Sequence, residues 1–154
     1  MKILDYLYDK TVLTDLEAVD KPGVIDELSG PVAAKTGIPH NEIAKVLMER
    51  EKLGSTGIGD GIGIPHGKLA ALETLVIGFG LSRKGIDFEA MDAKPVHLFF
   101  LLLSPDDSTG LHLMLLARIS RMLKDRKFRE SLANAKDSED VLRIIGEADA
   151  ADDA

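Results

Sequence analysis

One histidine, His66, follows a glycine-rich run in GSTGIGDGIGIPHGKL, residues 54–69. Six of the 14 glycines fall between Gly54 and Gly67. Two further polar residues occupy apolar positions in flanking stretches. Before the glycines, Ile43, Val46 and Leu47 lie at i, i+3 and i+4, and the next position of that stripe is Arg50. Glu49, Glu51 and Lys52 point elsewhere on the same wheel. Arg50 therefore leans inward at a helix C-terminal end, beside the glycine loop. After SPDDST, Leu111, Leu115, Ile119 and Met122 mark a second stripe, and His112 sits in its first turn. An imidazole with an ordinary pKa of about 6.5 is largely neutral and nucleophilic at neutral pH. A guanidinium is a fork suited to phosphate. A neutral histidine at a helix N-terminus can donate to an anion that the free N–H groups and the dipole already favour. Each residue also has an ordinary reading. Arg50 can bury its stem and snorkel its head, and His112 can be a core histidine with its hydrogen bonds satisfied.

The glycine run fits none of the nucleotide loops. A P-loop needs G-x-x-x-x-G-K-[ST], but Ile62 stands where its first glycine belongs and Leu69 where Ser or Thr must hold magnesium. The G-x-G-x-x-G pattern fails because Gly57, Gly59, Gly61 and Gly63 alternate at period two. The elbow G-x-S-x-G is absent. Period two is a strand's spacing. It predicts Gly59, Gly61 and Gly63 on one bare face, with Ile58, Ile62 and Ile64 anchoring the other. A bare face would let a partner's surface or a phosphoryl group approach His66. The other reading is a tight, bulged turn that needs positive φ values. His40 is expected in a turn facing water. His97 opens a buried strand and fits a bond to a backbone carbonyl. The four histidines lack ligand spacing such as HExxH, which argues against a metal site.

The elements that must position these residues follow from periodicity and breakers. A short extended piece is expected around Thr11–Leu16. Val24–Lys35 is roughly helical, with Pro31 expected to start, kink or interrupt it. A helix follows GIPHNE, capped by Asn41, and runs to about Leu53 before Gly54. LVIGFGL, Leu75–Leu81, and VHLFFLLL, Val96–Leu103, are strands, the second apolar on both faces. A helix is expected from Gly110 to Lys124, capped by Ser108 or Thr109. Shorter ones follow at Lys127–Ala135 and Ser138–Glu147. The expected fold class is α/β, a mixed central β-sheet sandwiched between α-helices.

The 154 residues read as one domain over 1–147, with ADAADDA, residues 148–154, expected to be a disordered acidic tail. A net charge of −7 argues against a nucleic-acid partner and permits a basic protein partner. There is no cysteine, so no disulfide or thiolate site. No apolar run approaches the roughly 18 residues needed to cross a bilayer, and MKILDYLYDK is too short and too charged for a signal peptide. The expected location is the cytoplasm, with no membrane insertion.

REKLGSTGIGDGIGIPHGKL resembles the active-site signature of the fructose/mannitol-type IIA domains of the bacterial phosphotransferase system, above all their nitrogen-regulatory, PtsN-like branch. The likeness continues through GIDFEAMDAKPVHLFFLLLSPDD, LHLMLLARISRMLKDRKFRESLANA and VLRII, and so covers nearly the whole chain. The family usually has alanine where this chain has Gly63, and Pro31 is unusual in the first helix. The resemblance implies that His66 is the phosphorylated histidine, on Nε2. It implies that Arg50 stabilises the phosphoryl group and that His112 is the second active-site histidine. The implied donor is a phosphorylated HPr or NPr-like protein, charged by enzyme I from phosphoenolpyruvate. The implied further partner is a regulatory target or a IIB protein. No cofactor and no metal are implied.

Overall fold

The computed structural model describes residues 1–152. A 3₁₀ turn at Ile3–Asp5 leads into β1 (Leu7–Leu13), α1 (Lys21–Thr36) and α2 (His40–Glu51). Three short strands follow: β2 (Gly57–Gly59), β3 (Ile62–Gly63) and β4 (His66–Lys68). Then come β5 (Val76–Ile86), β6 (Val96–Ser104), α3 (Thr109–Met122), α4 (Arg126–Ala133) and α5 (Ser138–Asp152). One mixed sheet runs β1-β5-β6-β3-β2, and β4 also pairs with β6. The β5–β6 pair is antiparallel, whereas β1 joins β5, and β3 and β4 join β6, in parallel. The expected α/β sandwich is the observed fold.

β6 shows why one strand can be apolar throughout. Leu98, Phe100 and Leu102 pack into the core beneath α3–α5. Phe99, Leu101 and Leu103 pack into the core beneath α1 and α2. Alternation sends successive side chains to opposite faces, and both faces are covered. None of the helices is long and apolar enough to cross a membrane, among the described residues.

Five expectations change. The extended piece near Thr11–Leu16 lies earlier, at Leu7–Leu13. α1 neither starts nor stops at Pro31. Its N-terminus is set by Asp20, which accepts from the Gly23 N–H at 2.9 Å, and its C-terminus by Gly37 at φ 77°. Between them Val24, Ile25, Leu28 and Val32 are buried. That stripe outweighs the one i→i−4 bond a proline forfeits. Asn41 does not cap α2: the helix starts at His40 after Pro39 and has no side-chain cap bond. The Ser108 cap position of α3 likewise makes no side-chain cap bond.

The acidic tail is the fifth. Residues 148–152 are not disordered but complete α5, while residues 153 and 154 lie outside the described residues. Asp149 is 1% exposed and accepts from the Ile3 and Leu4 N–H groups, both at 3.1 Å. The Arg118 Nε–H donates to it at 3.1 Å, and Arg118 also pairs with Asp152 at 3.1 Å. Composition judges a segment by the apolar surface it can bury. Here order comes from a buried carboxylate whose charge is matched by α3 and by the chain's first turn.

Candidate functional site

β3 and β4 lie along the same edge of β6. Ile62 and Gly63 register with Leu98 and Phe99, and His66, Gly67 and Lys68 register with Leu102, Leu103 and Ser104. Ile64 and Pro65 join the two strands. The Ile64 N–H turns to the Thr56 carbonyl at 3.0 Å, and the Pro65 carbonyl accepts from Leu102 N–H at 3.0 Å. Proline suits a step in which no N–H is called for. The Ile64 carbonyl accepts a hydrogen bond from His66 Nδ1 at 2.7 Å. A carbonyl can only accept, so Nδ1 carries the proton and Nε2 keeps its lone pair. Burial depresses the His66 pKa below its ordinary value. The Ile64 bond works against that, Arg50 adds to it, and Glu51 opposes it.

His112 comes from the other side. α3 starts just past the end of β6, and its first turn places the His112 ring centroid 5.6 Å from that of His66, tilted by 56°. His112 is buried, and its Nδ1 bonds to Ser104 Oγ at 2.5 Å. Burial, then His66, then Lys68 lower its pKa to about 4, so it is neutral at neutral pH. Lys68 shares the β4 face of His66 and donates to Thr109 Oγ1 at 2.5 Å, at the start of α3.

Arg50 is half-buried in the last turn of α2, and its Nη1 donates to the Gly54 carbonyl at 2.9 Å. It is close enough to lower the His66 pKa. The residue that points fully inward is its neighbour Glu51, 5% exposed, which the wheel had sent elsewhere. Glu51 accepts from the Thr56 N–H at 3.1 Å and from Thr56 Oγ1, and pairs with buried Lys21 at 3.1 Å. Lys21 lies over the Phe88 ring at 4.9 Å. Helical periodicity carried no sign of this, because the last turn of α2 is shaped by the loop that folds back on it. Ser104 was legible: it shares the parity of Leu98, Phe100 and Leu102, and so faces α3.

The glycines divide into those packed against neighbouring protein, Gly57, Gly63 and Gly67, and those with positive φ, Gly54, Gly59 and Gly61. β2 and β3 form a hairpin whose turn residues Asp60 and Gly61 have φ of 56° and 77°, as a primed turn requires. Ile62 and Ile64 are buried as expected, but Ile58 is exposed. The other face is not bare at Gly63. A Cβ on Gly63 would meet Phe99 Cε1 at 3.0 Å, and one on Gly67 would meet Val46 Cγ1 at 2.7 Å. The tight-turn reading accounts for Gly61, and Gly67 lets α2 lie against β4. His97 bonds the Ser82 carbonyl through Nδ1 at 2.9 Å, as expected. His40 opens α2, half-exposed, with Nε2 against the Asp26 carbonyl at 2.8 Å.

The family described as "Phosphoenolpyruvate-dependent sugar phosphotransferase system, EIIA 2" matches residues 5–148. A nitrogen regulatory protein of Bradyrhizobium diazoefficiens is 38% identical over 145 residues, covering 94% of this chain and 95% of that protein. The fructose-specific EIIABC component of Bacillus subtilis is 36% identical over 151 residues, covering 97% of this chain but only 24% of that larger protein. Among solved structures, the nitrogen regulatory protein IIA-Ntr of Neisseria meningitidis superposes with a TM-score of 0.87 at 33% identity, over 92% of this chain and 97% of that one. The mixed sheet, the kinked edge that carries His66 and this agreement along almost the entire sequence lead to one conclusion: the chain belongs to the EIIA type-2 family of the phosphotransferase system.

Proposed function

We propose that this chain is a phosphocarrier that accepts a phosphoryl group on His66 Nε2 from a phosphorylated HPr- or NPr-like protein, in the cytoplasm, with a nitrogen or metabolic regulatory output. The observation that carries this is the Nδ1–H bond from His66 to the Ile64 carbonyl, which directs the free lone pair on Nε2 away from the backbone. In the transfer, that lone pair forms the new N–P bond as the N–P bond of the donor's phosphohistidine breaks. The donor ring leaves with the electron pair, and the Nδ1 proton stays on His66. Phosphoryl transfer asks a protein chiefly for position and charge stabilisation. The lowered His66 pKa keeps the ring neutral and nucleophilic at neutral pH. Arg50 takes the equatorial oxygens. A guanidinium has several N–H donors, so its bond to Gly54 does not exhaust the fork. His112 donates from the opposite side.

Regulation is favoured over transport by the likeness to nitrogen regulatory proteins along nearly their full length. The second reading, a transport IIA that hands the phosphoryl group to a IIB protein, has support in the likeness to a fructose-specific component. The test is incubation with enzyme I, the HPr-like donor and labelled phosphoenolpyruvate. A carrier takes up label that is acid-labile and base-stable, as a phosphoramidate is. A module that merely binds proteins takes up none. Candidate IIB proteins are then added: discharge of the label to one of them marks a transport component, and its retention marks a regulator.

A further inference from the structure

β6 ends on a residue that its own pattern makes conspicuous. On the face turned to α3 it presents Leu98, Phe100, Leu102 and then Ser104, a hydroxyl at the end of an apolar row. Ser104 is 0% exposed. A buried hydroxyl must spend its proton on an acceptor or carry the cost of leaving it unpaired. Among the described residues, the hydrogen bond of Ser104 Oγ is to His112 Nδ1, at 2.5 Å. The direction of that bond determines what His112 can do. If Nδ1 carries the proton, it donates to Oγ and the serine proton is stranded in the core. Nε2 then bears a lone pair and repels a phosphoryl oxygen. If the serine donates, its proton is used, Nδ1 is the acceptor, and the proton of the neutral ring must be on Nε2.

We propose that Ser104 is a positioning residue for phosphoryl transfer: its hydroxyl donates to His112 Nδ1 and so holds His112 as the Nε2–H tautomer, a neutral hydrogen-bond donor toward a phosphoryl group on His66. The inference rests on the phosphocarrier reading for its purpose, but not for its geometry. The two histidines are then set in opposite senses by their Nδ1 partners. A carbonyl makes His66 a lone-pair nucleophile, and a hydroxyl makes His112 a donor. No proton is transferred. The serine proton stays on oxygen and the His112 proton stays on Nε2, shared with the incoming oxygen. This arrangement gives the site a donor at a helix N-terminus, where a cationic imidazolium is disfavoured. Lys68, beside the same turn, disfavours the cation further.

The test has two arms. Nitrogen-15 NMR of the histidine rings in the full, unphosphorylated chain reads the tautomer directly. Wild type should show a protonated Nε2 and an unprotonated Nδ1 at His112, and Ser104→Ala should move the ring to a mixture of tautomers. Ser104→Thr, which keeps the hydroxyl, should restore the wild-type pattern. The second arm measures phosphoryl uptake. Ser104→Ala should slow it by about tenfold, the loss expected of one well-placed hydrogen bond, and should add nothing further in a His112→Ala background. A wild-type His112 protonated on Nδ1 overturns the inference. So does a Ser104→Ala ring that keeps the Nε2–H form, or an equal slowing in the His112→Ala background. Failure of wild type to take up any phosphoryl group would instead sink the carrier reading and leave the NMR outcome to decide the tautomer.

Discussion

Two helices reach His66 from opposite faces of the sheet, and they do so by opposite ends. α2 arrives with its C-terminal turn and brings Arg50, while α3 arrives with its N-terminal turn and brings His112. A helix C-terminus carries partial negative charge and tolerates a permanent cation. An N-terminus carries partial positive charge and favours a neutral ring, and His112 accordingly has its pKa lowered to about 4, with burial as the leading cause. The supports differ too. Arg50 is half-exposed and bonded to a neighbouring carbonyl, yet the turn that bears it is fastened by the buried Glu51–Lys21 pair and Thr56. His112 is itself buried, and the charged fastening of its helix lies two turns away, at Arg118 and Asp149. The lesson is that the cationic arm relies on a charged brace next to the chemistry, whereas the neutral arm is braced at a distance.

The largest expected effect removes the group that both arms serve. His66→Ala should take up no label from the charged donor system, with the far-ultraviolet circular dichroism of wild type. Label at the wild-type level in that variant would end the comparison, because the arms would converge on the wrong atom.

Cutting each brace sharpens the contrast. Glu51→Ala takes from the buried Lys21 ammonium its 3.1 Å partner, leaving the exposed Glu89 carboxylate at 3.9 Å, and should cost about 3–5 kcal/mol, read by urea unfolding. Asp149→Ala, which strips Arg118 and the first turn of the chain of a shared carboxylate, should cost about as much. Their effects on transfer should differ. Measured on the folded protein, uptake should slow in Glu51→Ala and hold near wild type in Asp149→Ala. Equal slowing in both would show that bracing at a distance matters as much as bracing nearby.

Arg50→Lys keeps the charge and loses the fork. Uptake should fall by about ten- to a hundredfold, with unfolding free energy unchanged within experimental error. An unaltered rate would reduce Arg50 to a side chain that lies along the surface.

The smallest effect is a pH dependence on the α3 side. The folded-state His112 pKa is about 4, below the unfolded value of about 6.5. Between those values the unfolded chain binds more protons, so stability falls as pH drops through about 6.5 toward 4 and levels off below. His66, also lowered, acts in the same direction. Wild type should lose more stability over that range than His112→Gln, by urea midpoints at each pH. A histidine NMR titration should find the His112 pKa raised when His66 carries a phosphoryl group, since added negative charge favours the cation. A pKa that stays level or falls would mean that the neutral arm does not sense the transferred group.

Much of this was legible in the residues. Strong alternation or an uninterrupted apolar run marked β5 and β6, and stripes at i, i+3 and i+4 marked α2 and α3. Proline and glycine bracketed His66, and the motif around it was specific enough to name the family. Those features are local, and local periodicity is what a sequence displays directly. Arg50 was placed next to the site by the same means, though less deeply than it was expected to sit.

Other features were decided only by contacts between distant parts of the chain. Glu51 turned inward because Lys21 and Thr56 meet it there, and no wheel drawn on α2 contains either partner. The acidic end became helix because Asp149 finds Arg118 and the amides of Ile3 and Leu4. Of the glycines read as a bare approach path, Gly63 is packed against Phe99, and Gly59 and Gly61 serve the hairpin with positive φ. Most telling are the two imidazoles, identical as letters. One is paired to a carbonyl that points away from the ladder at a kink against β6, and the other to a hydroxyl at the end of the same strand. Residue type supplies a ring that can be donor or acceptor. Which nitrogen does which depends on the partner the tertiary structure brings within hydrogen-bond distance, and that choice follows from the packing of β6 against its neighbours.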